Sequence, residues 1–183
     1  DFSWLVAFFH SVSARTAGFS TYPLGDFHTP GLLVMMVLMF IGASPGSTAG
    51  GIKTSTVFVL IQGIKSAATN HTEKAFHYAI PKGAFRKASV ITILGGSIVF
   101  VCTYLLSILE PQIPLTDLLF ESVSAFGTVG LSTGITTQLC TASKLLCILV
   151  MYIGRLGPLT IFSIWHYTLG ERVRYPEGNI SIG

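Results

Sequence analysis

Phe9-His10-Ser11-Val12-Ser13-Ala14-Arg15-Thr16-Ala17-Gly18-Phe19-Ser20-Thr21 returns later in the chain as Phe120-Glu121-Ser122-Val123-Ser124-Ala125-Phe126-Gly127-Thr128-Val129-Gly130-Leu131-Ser132-Thr133, with one residue inserted. Phe, Ser, Val, Ser, Ala, Thr, Gly, Ser and Thr recur in order, which is far beyond chance for two apolar segments. A repeat sets the architecture before any single element is considered. Both copies contain a short apolar stretch, Trp4 to Ala14 and Leu115 to Phe126. As helices these reach only about 17 Å, roughly half of a bilayer's hydrocarbon core, so each is read as re-entrant. Thr-x-Gly-x follows in each, then Ser-Thr, then a membrane helix. In the second copy a full span, Val90 to Leu109, comes first; the matching span of the first copy is expected upstream of Asp1.

Thr-x-Gly-x after a half-helix suits the dehydration of a cation. Backbone carbonyls replace the hydration shell of a potassium ion. Successive carbonyls face one pore only where some residue takes an unusual backbone conformation, which glycine does without steric cost. The half-helix directs its partly negative C-terminal end at the same place, and the threonine adds a hydroxyl oxygen. No side chain has to bind a metal or lose a proton.

The composition agrees with a membrane protein. Hydrophobic residues make up 50% of 183, charged residues 10%, and the mean hydropathy is +0.67, whereas a soluble domain is about 25% charged. Too few charges remain to cover a watery surface, and disorder needs low hydrophobicity. The net charge of +3 comes without a basic stripe interleaved with aromatics, so nucleic acid is not a partner. Cys102, Cys140 and Cys147 lie in or beside apolar runs, with no CxxC pair, and read as small core hydrophobes.

Leu32 to Ile64 is too long for one straight span, about 50 Å as a helix. Its middle reads Gly42-Ala43-Ser44-Pro45-Gly46-Ser47-Thr48-Ala49-Gly50-Gly51. Glycine and proline at that density do not hold a helix. Two helical halves joined by non-helical backbone are therefore expected, and such backbone at membrane depth has to line a cavity or be buried in protein. Leu145 to Trp165 is read as a further span. Arg155 near its centre costs at least about 2.5 kcal/mol against lipid and must face a cavity or a partner. Lys65, Lys74, Lys82, Arg86 and Lys87 against Glu73 alone place the loop 65–87 in the cytoplasm, together with the C-terminal tail; the connections with Asp26, Glu110 and Asp117 then face outside.

At this point a resemblance is plain. Ala14-Arg15-Thr16-Ala17-Gly18-Phe19 and Phe126-Gly127-Thr128-Val129-Gly130-Leu131-Ser132-Thr133-Gly134 resemble the third and fourth filter loops of the Trk/Ktr/HKT superfamily of potassium transporters. Gly154-Arg155-Leu156-Gly157-Pro158-Leu159-Thr160 resembles the arginine segment of the last inner helix, and the tail Arg174 to Gly183 is similar to the ending of the Ktr-type membrane subunit. The resemblance implies an all-α integral membrane protein. Its helix–pore-loop–helix units would build a potassium-channel-like pore with one broken inner helix.

On that reading residues 1–64 hold the third unit's pore helix, filter loop and broken inner helix, and 65–89 a cytoplasmic loop. Residues 90–166 hold the fourth unit, and 167–183 a cytoplasmic tail. Thr16, Ala17, Gly18 and Phe19, with Thr128, Val129, Gly130 and Leu131, become two of four filter walls that bind potassium through carbonyls. Gly42, Ser44, Pro45, Gly46, Ser47, Thr48, Gly50, Gly51 and Lys53 become a gate below them, with Arg155 as an electrostatic barrier. No covalently bound cofactor is implied; potassium is the ion, with sodium as a coupling or activating ion. The implied partners are a missing N-terminal half with two further filter loops, a second copy of the full-length protein, a cytoplasmic ring of nucleotide-binding regulatory domains, and the bilayer of the cell membrane, which the chain crosses several times.

Other readings are weaker. Gly42-Ala43-Ser44-Pro45-Gly46 fits the G-x-S-x-G pattern of a serine hydrolase, with His166 as the base. No strand precedes Gly42, and Pro45 has no N–H to offer an oxyanion. A non-conducting membrane subunit is the third reading, and two filter-like loops speak against it. Arg15 and Glu121 are candidates to pair across the support of the filter. Lys53 either snorkels to the cytoplasmic face or helps close the pore.

Overall fold

The computed structural model describes residues 3–69, 74–75, 78–81 and 83–157. Helix α1 (Trp4–Ser13) is followed by a 3-10 turn (Leu24–Asp26), α2 (Thr29–Phe40), α3 (Thr54–Thr69) and a two-residue antiparallel pair, β1 (Lys74–Ala75) with β2 (Tyr78–Ala79). Then come α4 (Ala84–Leu109), α5 (Leu115–Gly127), a second 3-10 turn (Ile135–Thr137) and α6 (Thr141–Leu156). Among the described residues the regular structure is helical apart from the strand pair and one isolated bridge.

The boundaries follow from local chemistry. Ser3 caps α1 by accepting from the Val6 amide at 3.4 Å. Pro30 stands in the first turn of α2, where no helical N–H is lost. Pro111 and Pro114 separate α4 from α5, and α6 stops at Gly157, whose φ is 86°. Helix α4 begins six residues before the expected Val90, because exposed Arg86 and Lys87 sit comfortably in its first turns. Among the described residues it is the one helix long and apolar enough to cross a membrane. The two short helices and the non-helical break between α2 and α3 fall where the sequence puts them. The span expected from Leu145 starts earlier, at Thr141, and its part beyond residue 157 lies outside the described residues, as does the tail.

Helix α5 is the centre of the molecule. Leu118 and all eight residues from Phe120 to Gly127 are buried, and α2, α4 and α6 pack around them. Small residues set these approaches. A Cβ on Gly154 of α6 would lie 1.9 Å from the Phe126 carbonyl oxygen, and one on Gly127 would lie 2.7 Å from the Met39 carbonyl oxygen. Helix α3 meets α4 in the same way, with Gly63 under the ring of Phe85. The equivalent helix α1 has no such cover among the described residues. Trp4 is 93% exposed, Leu5 76% and Phe8 67%.

Candidate ion pathway

The two copies of the repeat share a backbone as well as a sequence. Thr16 (φ 67°) and Thr128 (φ 52°) are the positive-φ non-glycine residues among those described, and Gly18 (φ 76°) and Gly130 (φ 92°) follow two positions later. Left-handed backbone at a β-branched residue is strained, and it recurs at the same repeat position. The Ala17 amide donates to the Ser13 carbonyl at 3.0 Å, and the Val129 amide to that of Ser124, also at 3.0 Å. These bonds join equivalent residues; the inserted residue only widens the second turn by one.

The two loops also meet. A Cβ on Gly18 would come within 2.1 Å of the Val129 carbonyl oxygen, and Gly130 lies beside the Gly18 Cα. Carbonyls and backbone of the two Thr-x-Gly-x segments are thus adjacent walls of one feature. Within it Ala17, Phe19 and Gly130 are exposed and Val129 and Leu131 are buried. The Phe19 carbonyl accepts from the Ser13 hydroxyl, so α1 already holds that oxygen.

Residues 41–53 form the non-helical link between α2 and α3. Gly42 donates to the Ile52 carbonyl at 2.8 Å and Ile52 to that of Phe40 at 3.1 Å, which brings the two roots of the loop together. Gly51 needs its φ of 73° for this return. The tip, Ser44 to Thr48, is exposed. Ser44 accepts from the Ser47 amide in a turn, with no strand-to-helix elbow around it. Lys53 folds back on the loop and donates through Nζ to the carbonyls of Ser47 (3.1 Å) and Ala49 (3.0 Å).

Both repeat loops touch this link. The Gly50 amide donates to Thr128 Oγ1 at 3.1 Å. Arg15 donates through Nη1 to the carbonyls of Ile41 (3.2 Å) and Gly42 (3.3 Å). A cation at the end of α2 matches both the helix dipole and the carbonyls that the break sets free. The pairing of Arg15 with Glu121 is therefore not made: Arg15 serves the broken helix, and Glu121 binds Thr136. Arg155 is exposed at the end of α6. Its neighbour Gly154 closes on Phe126, and Gly51 closes on Gly127, so Arg155 follows a contact made next to the one the loop makes.

Sequence reasoning missed the roles of Arg15 and of the buried His10 and Glu121. The repeat itself carries the signal. Arg15 stands at the point where the copies differ in length, and position 10/121 carries a histidine or a glutamate between the shared Phe and the shared Ser-Val-Ser of each short helix.

Comparison with known proteins supplies the context. A family model described as "cation transport protein", TrkH, matches residues 2–166. The chain is 37% identical over 178 residues to the Ktr system potassium uptake protein B of Bacillus subtilis, covering 97% of this chain and 40% of that protein. It is 38% identical over 184 residues to the potassium/sodium uptake protein NtpJ of Enterococcus hirae, covering 96% and 41%. The chain thus spans about 40% of the length of these relatives. The crystal structure of the potassium transporter TrkH from Vibrio parahaemolyticus superposes with a TM-score of 0.69 at 20% identity, covering 85% of this chain and 35% of that one; this is likeness of fold. A hydrolase built on Ser44 has no support in a family of transport proteins.

Proposed function

The chain belongs to the TrkH family of cation transport proteins, and on that premise we propose that it supplies two of the four walls of a potassium uptake pore in the cell membrane. The observation that carries this reading is the matched pair of loops. Threonine and glycine take left-handed backbone at equivalent positions of both, and the glycines lie side by side. Thr16 to Phe19 and Thr128 to Leu131 are the filter. Their carbonyls, apart from that of Phe19, which the Ser13 hydroxyl holds, replace water around the ion together with the Thr16 and Thr128 hydroxyls. Two adjacent loops do not encircle an ion, so the remaining walls come from outside these 183 residues. Relatives named for potassium uptake and for potassium/sodium uptake support potassium as cargo, with sodium as a coupling or activating ion.

The link 41–53 is the gate. It sits against the Thr128 end of the filter, and Lys53 and Arg15 hold it folded. Opening needs these carbonyls released, and Arg155 adds positive charge below the filter. The loop 65–87 and the tail face the cytoplasm, where a nucleotide-binding ring sets the gate of a homodimeric full-length protein.

The test is rubidium uptake by potassium-starved cells expressing the full-length protein, with and without Gly130→Asp. Uptake that the substitution abolishes or makes unselective, at equal expression, places the filter at Gly130. Robust, unaltered uptake puts the pathway elsewhere.

A further inference from the structure

Each of the two half-length helices carries, at the same repeat position, a buried polar side chain that the filter and gate do not use. His10 of α1 is 1% exposed and Glu121 of α5 is 7% exposed. Burying such groups is unfavourable unless they are bonded. Both find their partners in the segment just after the filter glycine. His10 Nδ1 donates to the Val6 carbonyl at 2.8 Å, and Nε2 lies 3.2 Å from Ser20 Oγ, two residues past Gly18. The single proton of Ser20 Oγ serves either His10 Nε2 or the Tyr22 carbonyl, 2.5 Å away.

In the second copy Thr136 Oγ1 lies 2.6 Å from Glu121 Oε1 and 2.8 Å from Ser132 Oγ, two residues past Gly130. Thr136 Oγ1 donates to Glu121 Oε1. Its single proton is then used, and the Ser132 hydroxyl donates to Thr136. Ser132 Oγ itself accepts from the Gly134 amide at 3.0 Å. Ser20 and Ser132 are equivalent in the repeat, as are His10 and Glu121. The same tie is made twice by different chemistry. The second oxygen of Glu121 is buried with no partner among the described residues. An apolar side chain would pack there at less cost, so stability alone does not account for the acid.

We propose that Glu121 and His10 are positioning residues that hold the backbone after each filter glycine from behind, and so set how strictly the pore separates potassium from sodium. The inference rests on the pore reading above. A filter discriminates only as far as the positions or number of its carbonyls are held, and a loop is held no better than its ties to rigid helices. The ties from α1 and α5 are of that kind.

The test measures potassium and sodium uptake by cells expressing the full-length protein, with each variant quantified in the membrane. Glu121→Gln keeps an acceptor for Thr136 and is expected to stay near the parent ratio. Glu121→Ala and Thr136→Val are each expected to lower the potassium-to-sodium ratio by about tenfold, as for loss of one hydrogen bond. The double variant should be no worse than either single one. Thr136 is exposed, so Thr136→Val carries the test even where alanine at buried position 121 fails to reach the membrane. An unchanged ratio in Thr136→Val, or fully additive effects of the pair, overturns the proposal. Gly130→Asp separates the two levels. If that variant leaves uptake intact, the pore reading falls and the brace with it. If it abolishes uptake while Thr136→Val keeps the parent ratio, only the brace falls.

Discussion

Gly18 and Gly130 hold the same place in the repeat, with φ of 76° and 92°, yet their surroundings differ. A methyl group on Gly130 meets nothing nearer than the Gly18 Cα at 4.0 Å, whereas one on Gly18 would sit 2.1 Å from the Val129 carbonyl oxygen. Gly130→Ala therefore adds backbone strain alone, about 1–2 kcal/mol. Gly18→Ala adds the same strain and an overlap with backbone that no side chain can relieve by turning, about 3 kcal/mol more. Melting of the two purified variants in detergent is expected to show the larger fall for Gly18→Ala, with rubidium uptake near background for that variant and partly kept for Gly130→Ala. Equal shifts would mean that the two loops do not abut. The sequence shows that a glycine is needed at both positions, because Thr-x-Gly recurs. Which glycine is crowded depends on how one loop lies on another far along the chain, and no local pattern records that. The same gap explains Arg15. Its place before Thr16 was legible, but its partners at Ile41 and Gly42 became visible only once the link had folded back.

The helices themselves were the most legible part. Apolar runs of half-membrane length, prolines and glycine clusters set their number and their breaks, because chain length against bilayer thickness and the loss of helical hydrogen bonds are local quantities. What ties one helix to the next was less so, and Glu110 is the clearest case. From the connection after α4 its Oε1 accepts from the Cys140 amide at 2.6 Å and from the Ser143 hydroxyl at 2.9 Å. It thus supplies an acceptor for free donors at the start of α6. The Cys140 amide, then the Ser143 and Cys140 side chains, and last the charge of Lys144, hold its carboxyl below the usual carboxylate range against a small opposing effect of burial. A lowered pKa means that the folded state binds its proton less readily than the unfolded one. The cap therefore contributes fully above the ordinary glutamate value of about 4.3, and the contribution is lost as pH falls through the lowered folded value. Glu110→Gln is expected to lower the melting temperature slightly at pH 7, with the difference from the parent closing as the pH falls through the lowered folded value. A difference that persists undiminished in acid would show that Glu110 acts through packing rather than charge.

At the scale of the whole molecule the two units are unequal. Helix α5 is enclosed by α2, α4 and α6, and α1 leaves Trp4, Leu5 and Phe8 uncovered. On the proposed pore architecture this is intelligible: α4 precedes the second repeat copy as its outer helix, and no described helix precedes the first copy in the same way. Orientation in the membrane follows from the basic residues rather than from packing, and the natural cysteines offer a direct check. Cys140 is exposed at the start of α6, in the connection from α5, where its amide donates to Glu110, while Cys102 and Cys147 are buried within α4 and α6. If the connection faces outward, a membrane-impermeant maleimide added to intact cells labels the parent at Cys140, and Cys140→Ser removes the signal. A cysteine placed at exposed Lys65, near the end of α3, in that Cys140→Ser background should react only after the membrane is permeabilised. Labelling of position 65 in intact cells, with Cys140 silent until permeabilisation, would invert the molecule. The filter loops would then open to the cytoplasm and the glycine-rich link to the outside, and a pore gated from the cytoplasm by way of that link would no longer be tenable.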